Sequence, residues 1–349
     1  MKAVLDQLTA TLDRGWDLAQ RGDSAGALAC AQRAHELDPQ SPEVHNLLGF
    51  SAALGGEPEE ALEHYKQAIA LDETYLEAML NAAEVLMHPM GEWDEAVRMC
   101  DEAYHLAQTD EEVADCVLLK VDALMSKGDM EEAGRAMKLI PEGPFESSNY
   151  VFLIGRAYYE LGDIERAAPL IEEAVKKDPA HADAQYYLGL IRDERGDARG
   201  ATEAFLRARA IDTGREAPPW APSPETFGAT LEGVIRKLDT LLARYIREAE
   251  VYVVDVPGAE LVVDGIDPRA LMILDAPSAE RQKGGWGSTG EDSTTPPRCR
   301  IFVYQRNVER AAGSVDNLEQ ELLHALEREV TAVFLEKDTE LKKDPRSLN

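Results

Sequence analysis

The sequence is poor in cysteine and in basic residues. Only four cysteines, Cys30, Cys100, Cys116 and Cys299, occur in 349 residues, and no two of them form a CxxC pair. This spacing excludes a zinc knuckle and a disulfide framework. Lysine and arginine number 36 against 66 aspartates and glutamates, which gives a formal net charge of −30. Because such a surface repels a phosphate backbone and no basic run interrupts it, we expect no nucleic-acid partner.

Long apolar runs are also missing. The N-terminal segment carries Asp6, Asp13 and Arg14 where a signal peptide has its apolar core, and no other run is long enough to span a bilayer. The glycine-rich stretch 284–288 lacks the strand, helix and lysine of a phosphate-binding loop. We therefore expect a cytoplasmic protein with no membrane contact and no cofactor.

What the sequence does contain is a period of 34 residues marked by small side chains. Gly15, Ala27 and Ala34 return as Gly49, Ala61 and Ala68, and the same spacing links Gly155, Ala167 and Ala174 to Gly189, Ala201 and Ala208. A period of this length predicts stacked helical hairpins, because a small residue is needed where two helices touch. Six units fit, and they begin near Leu8, Pro42, Leu76, Ala114, Ser148 and Ala182.

Each unit has a glycine followed by an acidic residue at the predicted turn between its helices. Glycine ends the first helix, and we expect the acid to cap the second. The third unit is one residue longer around 87–90, and the fourth ends irregularly at Ile140 and 141–144. The six pairs are Gly22-Asp23, Gly56-Glu57, Gly91-Glu92, Gly128-Asp129, Gly162-Asp163 and Gly196-Asp197.

The repeat pattern resembles the tetratricopeptide repeat. The resemblance spans roughly three-fifths of the chain, and only the tryptophan of the generic pattern is missing. It implies a mainly α solenoid over residues 1–212 whose concave surface binds a peptide. The fifth unit carries the signature residues Gly155, Tyr158, Gly162, Ala167, Ala174 and Pro179.

The first helix of every unit is expected to line the inner wall of this array. The side chains at those positions are acidic, with aromatic and aliphatic patches between them, which favours a basic or amphipathic partner segment. The alternative, that acids such as Glu84 are only solvated surface, stays open. The expected partner-binding residues are Glu43, Asn46, Phe50, Glu84, Asp115, Leu118, Asp122, Phe152, Arg156, Tyr159 and Tyr186, with Trp16, Glu77 and Asp193 on the same wall.

After Asp212 the period stops, and four prolines in residues 213–226 predict a stiff linker. Residues 227–349 are predicted to form a small α/β domain. Its first helix, Phe227 to Glu248, would bury Leu231, Val234, Leu238, Leu241 and Leu242 on one face. The expected elements after it are a strand at 251–256, a helix at 259–263, an apolar stretch at 271–274, a mobile loop at 283–297, a strand at 300–305 and a helix at 316–337.

This order of elements resembles the bacterial minimal zincin-like peptidases. The matching segments are 227–242, the strand ending at Val256-Pro257, 265–271, 301–306, 308–310 and the helix with Leu322-Leu323-His324. In that family the last helix carries HExxHxxG, in which two histidines bind one zinc ion and the glutamate activates its water.

The chain departs from this motif at its chemical residues. The matching stretch begins at His324, but Ala325 replaces the glutamate and the cation Arg328 replaces the second histidine. Thr331 and Phe334 stand where a glycine and an acid are expected. The resemblance therefore implies a degenerate, catalytically inactive domain with no catalytic residue and no metal. The expected function is that of an intracellular interaction adaptor or scaffold, with this domain as a second docking surface. A zinc metallopeptidase with an atypical ligand set, and a regulatory subunit of a related peptidase, remain the alternatives.

Overall fold

The computed structural model describes residues 2–275 and 299–336. The chain forms two compact units, Met1–Asp178 and Pro179–Asn349, and each is described by itself. Among the described residues, the regular elements of the first unit are all helices, and those of the second are helices and a small sheet. The division by sequence pattern into 1–212, 213–226 and 227–349 stays a prediction.

The helices of the first unit follow one another as hairpins. Helices α1 to α7 each pack on the next helix in sequence, α9 packs on α10, and α1, α3, α5 and α7 also contact the next first helix along the array. The bounds are α1 (Lys2–Gln20), α2 (Ser24–Leu37), α3 (Pro42–Leu54), α4 (Pro58–Leu71), α5 (Leu76–Met87), α6 (Trp93–Leu106), α7 (Asp110–Lys127), α8 (Met130–Ala136) with a 3-10 turn at Met137–Leu139, α9 (Ser148–Glu160) and α10 (Ile164–Lys177).

The predicted glycine turns are confirmed. All six glycines have a positive φ, between 71° and 88°, a conformation that other residues adopt at a cost. Asp23, Asp129 and Asp163 accept a hydrogen bond from the backbone of the helix they precede. The expected cap is wrong at Glu57 and Glu92, which make no side-chain cap. Glutamate is not among the preferred capping residues, whose shorter side chains reach the first-turn amides.

Two helix starts and the fourth unit depart from the even period. Helix α1 begins at Lys2, before the expected Leu8, and α7 begins at Asp110 because Thr109 and Glu112 form a capping box. The fourth unit is irregular, as predicted: α8 has only seven residues and continues as the 3-10 turn.

Three histidines from three helices lie in a row in the first unit. The ring of the buried His45 is 5.3 Å from that of His35 and 5.8 Å from that of His64. Nε2 of His45 lies 3.1 Å from the carbonyl oxygen of Pro39, while its Nδ1 is buried without a hydrogen-bond partner. Burial, followed by the neighbouring His45, lowers the pKa of His64 below its usual value, although Glu60 and Glu63 oppose this.

We expect His64→Gln to flatten the acid side of the stability profile of the first unit. A histidine whose pKa is lowered by folding binds protons more readily in the unfolded chain, so stability falls as the pH drops below about 6.5. The measurement is the urea midpoint at neutral and mildly acidic pH, with His105→Gln on α6 as the control. If His64→Gln has the same pH dependence as the wild type, the loss of stability at acidic pH does not come from protonation of His64.

The second unit begins with the sixth helical hairpin and continues into the α/β elements. The bounds are α11 (Ala182–Glu194), α12 (Ala198–Gly214), α13 (Pro224–Lys237), α14 (Thr240–Ala243), β1 (Glu250–Val254), α15 (Ala259–Val263), β2 (Met272–Asp275), β3 (Arg300–Tyr304), α16 (Gln305–Ala312), α17 (Val315–Val330) and one π-helical turn (Thr331–Glu336).

The sheet has the order β1-β3-β2. Strand β1 is parallel to β3, from Glu250 opposite Arg300 to Val254 opposite Tyr304, and β2 is antiparallel to β3. One face of the sheet packs on α13 and α17. Its core side chains include Phe227, Leu231, Val234, Met272, Ile301, Val303, Leu322, Ala325 and Leu326, all buried.

Several predicted bounds in this unit are wrong. The helix expected over 227–248 ends at Lys237, and Asp239 caps the separate short helix α14. Leu241 is therefore 65% exposed and does not share the buried face. Gln305 begins α16 and does not extend β3. The expected helix at 259–263 is confirmed, whereas the loop at 283–297 and the end of the last helix at Lys337 lie outside the described residues.

Candidate functional site

A concavity of about 340 Å³ lies on the first unit between α5, α7 and α9, the first helices of the third, fourth and fifth units. It brings together four of the residues expected on the inner wall. The lining residues are Glu84, Leu118, Leu119, Val121, Asp122, Met125, Leu153, Arg156, Ala157 and Glu160.

The lining combines an apolar floor with an acidic rim. Val121 and Ala157 are buried, and the neighbouring leucines and Met125 are half-buried, so apolar surface remains accessible. Glu84 and Asp122 are exposed. A concavity of this kind fits an apolar side chain whose neighbours are basic, since burial supplies affinity and opposite charge supplies orientation.

Arg156 is the one cation of this concavity. Its Nε lies 3.4 Å from a carboxylate oxygen of Glu160, one helical turn away. The same Nε is buried and has no hydrogen bond of good geometry. The pair therefore neutralises one end of the rim and leaves Glu84 and Asp122 as its uncompensated charges.

Other residues of the expected wall are not part of the lining of this concavity. The phenol of Tyr150 donates a hydrogen bond to Asp115 at 2.9 Å, and burial raises the pKa of that carboxyl. Phe50 meets the ring of Trp16 edge to face at 5.4 Å. Tyr159 is half-buried.

Asn46 and Phe152 do not offer a contact surface, because both are buried. The Asn46 amide donates to the hydroxyl of Tyr75 at 3.2 Å and accepts from Asn81 at 3.0 Å, which ties α3 to α5. From the sequence, the position of Asn46 in its first helix predicted that it lines the inner wall of the array. In the structure it satisfies a polar contact between neighbouring helices.

Tyr186 lies in the second unit and already has an intramolecular partner. Its hydroxyl donates to Asp267 at 2.9 Å, and the guanidinium of Arg269 stacks over its ring at 4.5 Å. Arg269 also pairs with Asp183 at 2.7 Å and with Asp212 at 3.2 Å. These groups come from α11, α12 and the turn before β2, so they join the sixth hairpin to the α/β elements within this unit.

A second set of contacts surrounds Asp212 at the end of α12. Arg310 pairs with the Asp212 carboxylate at 2.9 Å. Arg306 donates to the backbone oxygens of Thr213 at 3.2 Å and Arg215 at 2.7 Å, which satisfies carbonyls that the helix end leaves without partners. A cavity of about 180 Å³ here is lined by three arginines, Arg215, Arg306 and Arg310, and by three carboxylates. Its charges are matched within the chain, so we regard it as structural.

The residues that matched the zincin-like motif differ in their exposure and contacts. Ala325 is buried in the core, whereas His324 and Arg328 are exposed. Phe334 stacks on Tyr245 with ring centres 4.9 Å apart. Within residues 2–275 and 299–336, no three histidine, cysteine, aspartate or glutamate side chains are grouped so as to hold a metal ion. An exposed cation one turn after a lone histidine does not fit zinc.

Comparison with known proteins identifies the repeats. One tetratricopeptide repeat family model matches residues 12–88 and 152–216, and a second matches 78–114. The unmatched stretch between them contains the irregular fourth unit.

Two curated relatives and one solved structure are similar to parts of this chain. Human protein O-mannosyl-transferase TMTC1 is 28% identical over 187 residues, which is 52% of this chain and 20% of that protein. A TPR repeat-containing protein of Pseudomonas aeruginosa is 37% identical over 59 residues, 17% of this chain and 56% of that protein. The chain thus spans little more than half of the latter and a fifth of the former.

A solved structure of PilF from Pseudomonas aeruginosa covers 61% of this chain and 95% of its own chain, with 17% identity and a TM-score of 0.50. At this identity the likeness shows the helical-hairpin fold alone. No helix in the described part of the chain is both long enough and apolar enough to cross a membrane. Residues 12–114 and 152–216 match tetratricopeptide repeats, so the chain contains helical repeats of this family, and its described part is mainly helical.

Proposed function

We propose that this protein is an interaction adaptor whose first unit binds a partner polypeptide along the wall formed by its first helices. The observation that supports this most directly is the concavity between α5, α7 and α9. Three successive units contribute to it, so it has the extent of a short polypeptide segment. Helical repeat arrays use extended surfaces of this kind to bind other proteins.

The proposed partner segment is basic or amphipathic. Glu84 and Asp122 flank half-buried Leu118, so one apolar side chain entering the concavity would place its neighbours beside two carboxylates. The net charge of −30 favours the same partners at longer range. The accessible apolar floor distinguishes this surface from an acidic helix face that is only solvated.

We propose that the α/β part of the second unit is a catalytically inactive relative of the zincin-like peptidases that offers a second docking surface. What supports this is the side-chain chemistry of α17. The position of the catalytic base is the buried Ala325, and the position of the second histidine is the exposed Arg328. No hydrolytic step follows from these residues.

The adaptor proposal predicts that Glu84→Lys/Asp122→Lys lowers partner recovery by about tenfold or more, because the rim then repels a basic segment. The measurement is quantitative mass spectrometry of proteins that co-purify with tagged full-length protein from its source cells. The control is Glu102→Lys/Glu172→Lys, at exposed positions on the second helices α6 and α10, which changes the net charge equally.

The two variants separate the concavity from general electrostatics. A protein lost from the first variant and retained by the control is a partner of this surface. Equal recovery by the wild type and both variants, or equal loss from both variants, would contradict the proposal.

A further inference from the structure

Strand β1 lies at the edge of the sheet in the second unit, and its outer side has backbone groups to offer. The sheet order is β1-β3-β2, so β1 pairs with β3 alone among the described strands. The ladder begins where the Glu250 N–H donates to the carbonyl of Cys299 at 2.9 Å. Because alternate residues of a strand bond to opposite sides, the N–H and C=O groups of Val251 and Val253 point away from β3.

This edge is apolar and lacks several features that commonly prevent strand pairing. Val251, Tyr252 and Val254 are 40%, 43% and 40% exposed. The strand contains neither lysine nor proline, and its register with β3 continues without a bulge over all five residues. Since an open edge of this kind pairs readily with another chain, β1 can accept a further strand.

The centre of β1 carries an aromatic ring that is held in place. Val253 packs into the core against α13 and α17, so Tyr252 lies on the other face of the sheet. Its ring stacks on that of Phe302 in β3, with centres 5.2 Å apart and planes 17° apart. Its hydroxyl donates to Glu250 at 2.9 Å. A strand added at this edge therefore meets an ordered ring in the middle of β1.

The two ends of β1 are balanced in charge, unlike the chain as a whole. Glu250 lies opposite Arg300 in the register with β3. Asp255, directly after the strand, pairs with Arg306 at 3.9 Å. In an antiparallel pair of two copies, the first end of one strand lies beside the second end of the other, so acids and arginines meet at both ends. The net charge of −30 acts at longer range, where salt screens it.

We propose that β1 pairs with β1 of a second copy of this chain, antiparallel and centred on Tyr252, which joins two three-stranded sheets into one. Val251 of one copy then lies opposite Val253 of the other, and their outward N–H and C=O groups bond to each other. Tyr252 lies opposite itself on the two-fold axis, so the two stacked ring pairs become neighbours. This inference goes beyond the adaptor function and does not depend on it.

The test is sedimentation velocity of the full-length protein in about 0.15 M salt, from about 5 to about 500 µM, because so short a strand makes a small and weak interface. We expect the wild type to shift from monomer to dimer with concentration. Tyr252→Lys and Tyr252→Glu should each weaken the dimer about fivefold or more, since like charges then lie opposite each other. An equimolar mixture of these two variants should restore it.

Two further variants keep the test specific. Val251→Pro removes an outward N–H and no bond to β3, so it should abolish the dimer while the sheet remains. Val263→Lys, at a 59% exposed position on α15, adds the same charge elsewhere and should leave the dimer unchanged.

A wild type that stays monomeric at every concentration would overturn the proposal. So would a dimer that persists in both Tyr252 variants, one that their mixture does not restore, or one that Val263→Lys weakens equally. None of these measurements involves the concavity of the first unit, so the adaptor proposal is tested separately.

Discussion

Replacing Arg269 by alanine is expected to destabilise the second unit by about 1–3 kcal/mol, because the change removes a largely buried cation that pairs with Asp183 and Asp212 and covers the Tyr186 ring. The Asp212 side chain is only 10% exposed and that of Arg269 only 13%. Asp212 retains Arg310 in the variant, but Asp183 loses the partner at 2.7 Å and Tyr186 loses the stacked guanidinium. The lost contacts link α11 and α12 to the turn before β2.

Hydrogen exchange of the full-length protein measures this effect locally. Peptides from α11, α12 and the segment 262–275 should exchange faster in Arg269→Ala, and peptides from the first unit should keep their wild-type rates. Arg207→Ala, at an exposed position on α12, is the control. Exchange rates in Arg269→Lys should lie between those of the wild type and Arg269→Ala. Lysine keeps the charge but loses the two-pronged pairing of the guanidinium and most of its stacking. Wild-type protection in Arg269→Ala would contradict the role given to this residue.

The helical hairpins could be predicted because their determinants are local. A glycine with positive φ, a small residue at a helix contact and a fixed period are all visible within 34 residues of sequence. The departures are local too. Helix α7 begins early because Thr109 and Glu112 form a capping box, and Glu57 makes no cap, since glutamate is not among the preferred capping residues. These differences move helix ends without changing the order of helices.

The contacts of Arg269 could not be predicted in this way. Tyr186 and Asp267 are separated by 81 residues, and Asp212 and Arg269 by 57. Its position in the first helix predicted that Tyr186 is accessible on the inner wall. Nothing near Tyr186 in the sequence indicates that Asp267 and Arg269 contact its side chain. The same applies to Asn46, whose amide contacts residues 29 and 35 positions away.

The grouping of the wall residues could be predicted better than the exposure of each one. Glu84, Leu118, Asp122 and Arg156 come together at the concavity, because residues at one helix position return to one wall in a regular array. Sequence position cannot report depth, so the buried Phe152 was grouped with exposed neighbours. The acidic and apolar character of the wall is therefore a sounder basis for choosing partners than any one of its residues.

The glycine that marks the period also leads to the strongest packing prediction in the first unit. Gly49 lies in α3, and a Cβ atom added there would lie 2.7 Å from two ring carbons of Tyr65 and 3.0 Å from the backbone oxygen of Ala61. Tyr65 is 1% exposed, so its ring has no solvent into which it can move. We expect Gly49→Ala to destabilise the first unit by about 1–3 kcal/mol, the usual cost of overpacking, although alanine is the better helix former.

Gly134→Ala is the matched control, because Gly134 also lies in a helix, α8, but nothing surrounds its added Cβ within 4 Å. There the same substitution should stabilise the first unit by about 0.5–1 kcal/mol, since alanine restricts the unfolded chain and meets no neighbour. The measurement is urea unfolding of the full-length protein, with hydrogen exchange in peptides of α3, α4 and α8 as the probe of the folded fraction. Opposite signs for one chemical change would show that the small residue of the period is required by the close approach of α3 and α4, whereas equal signs would assign it to helix propensity alone.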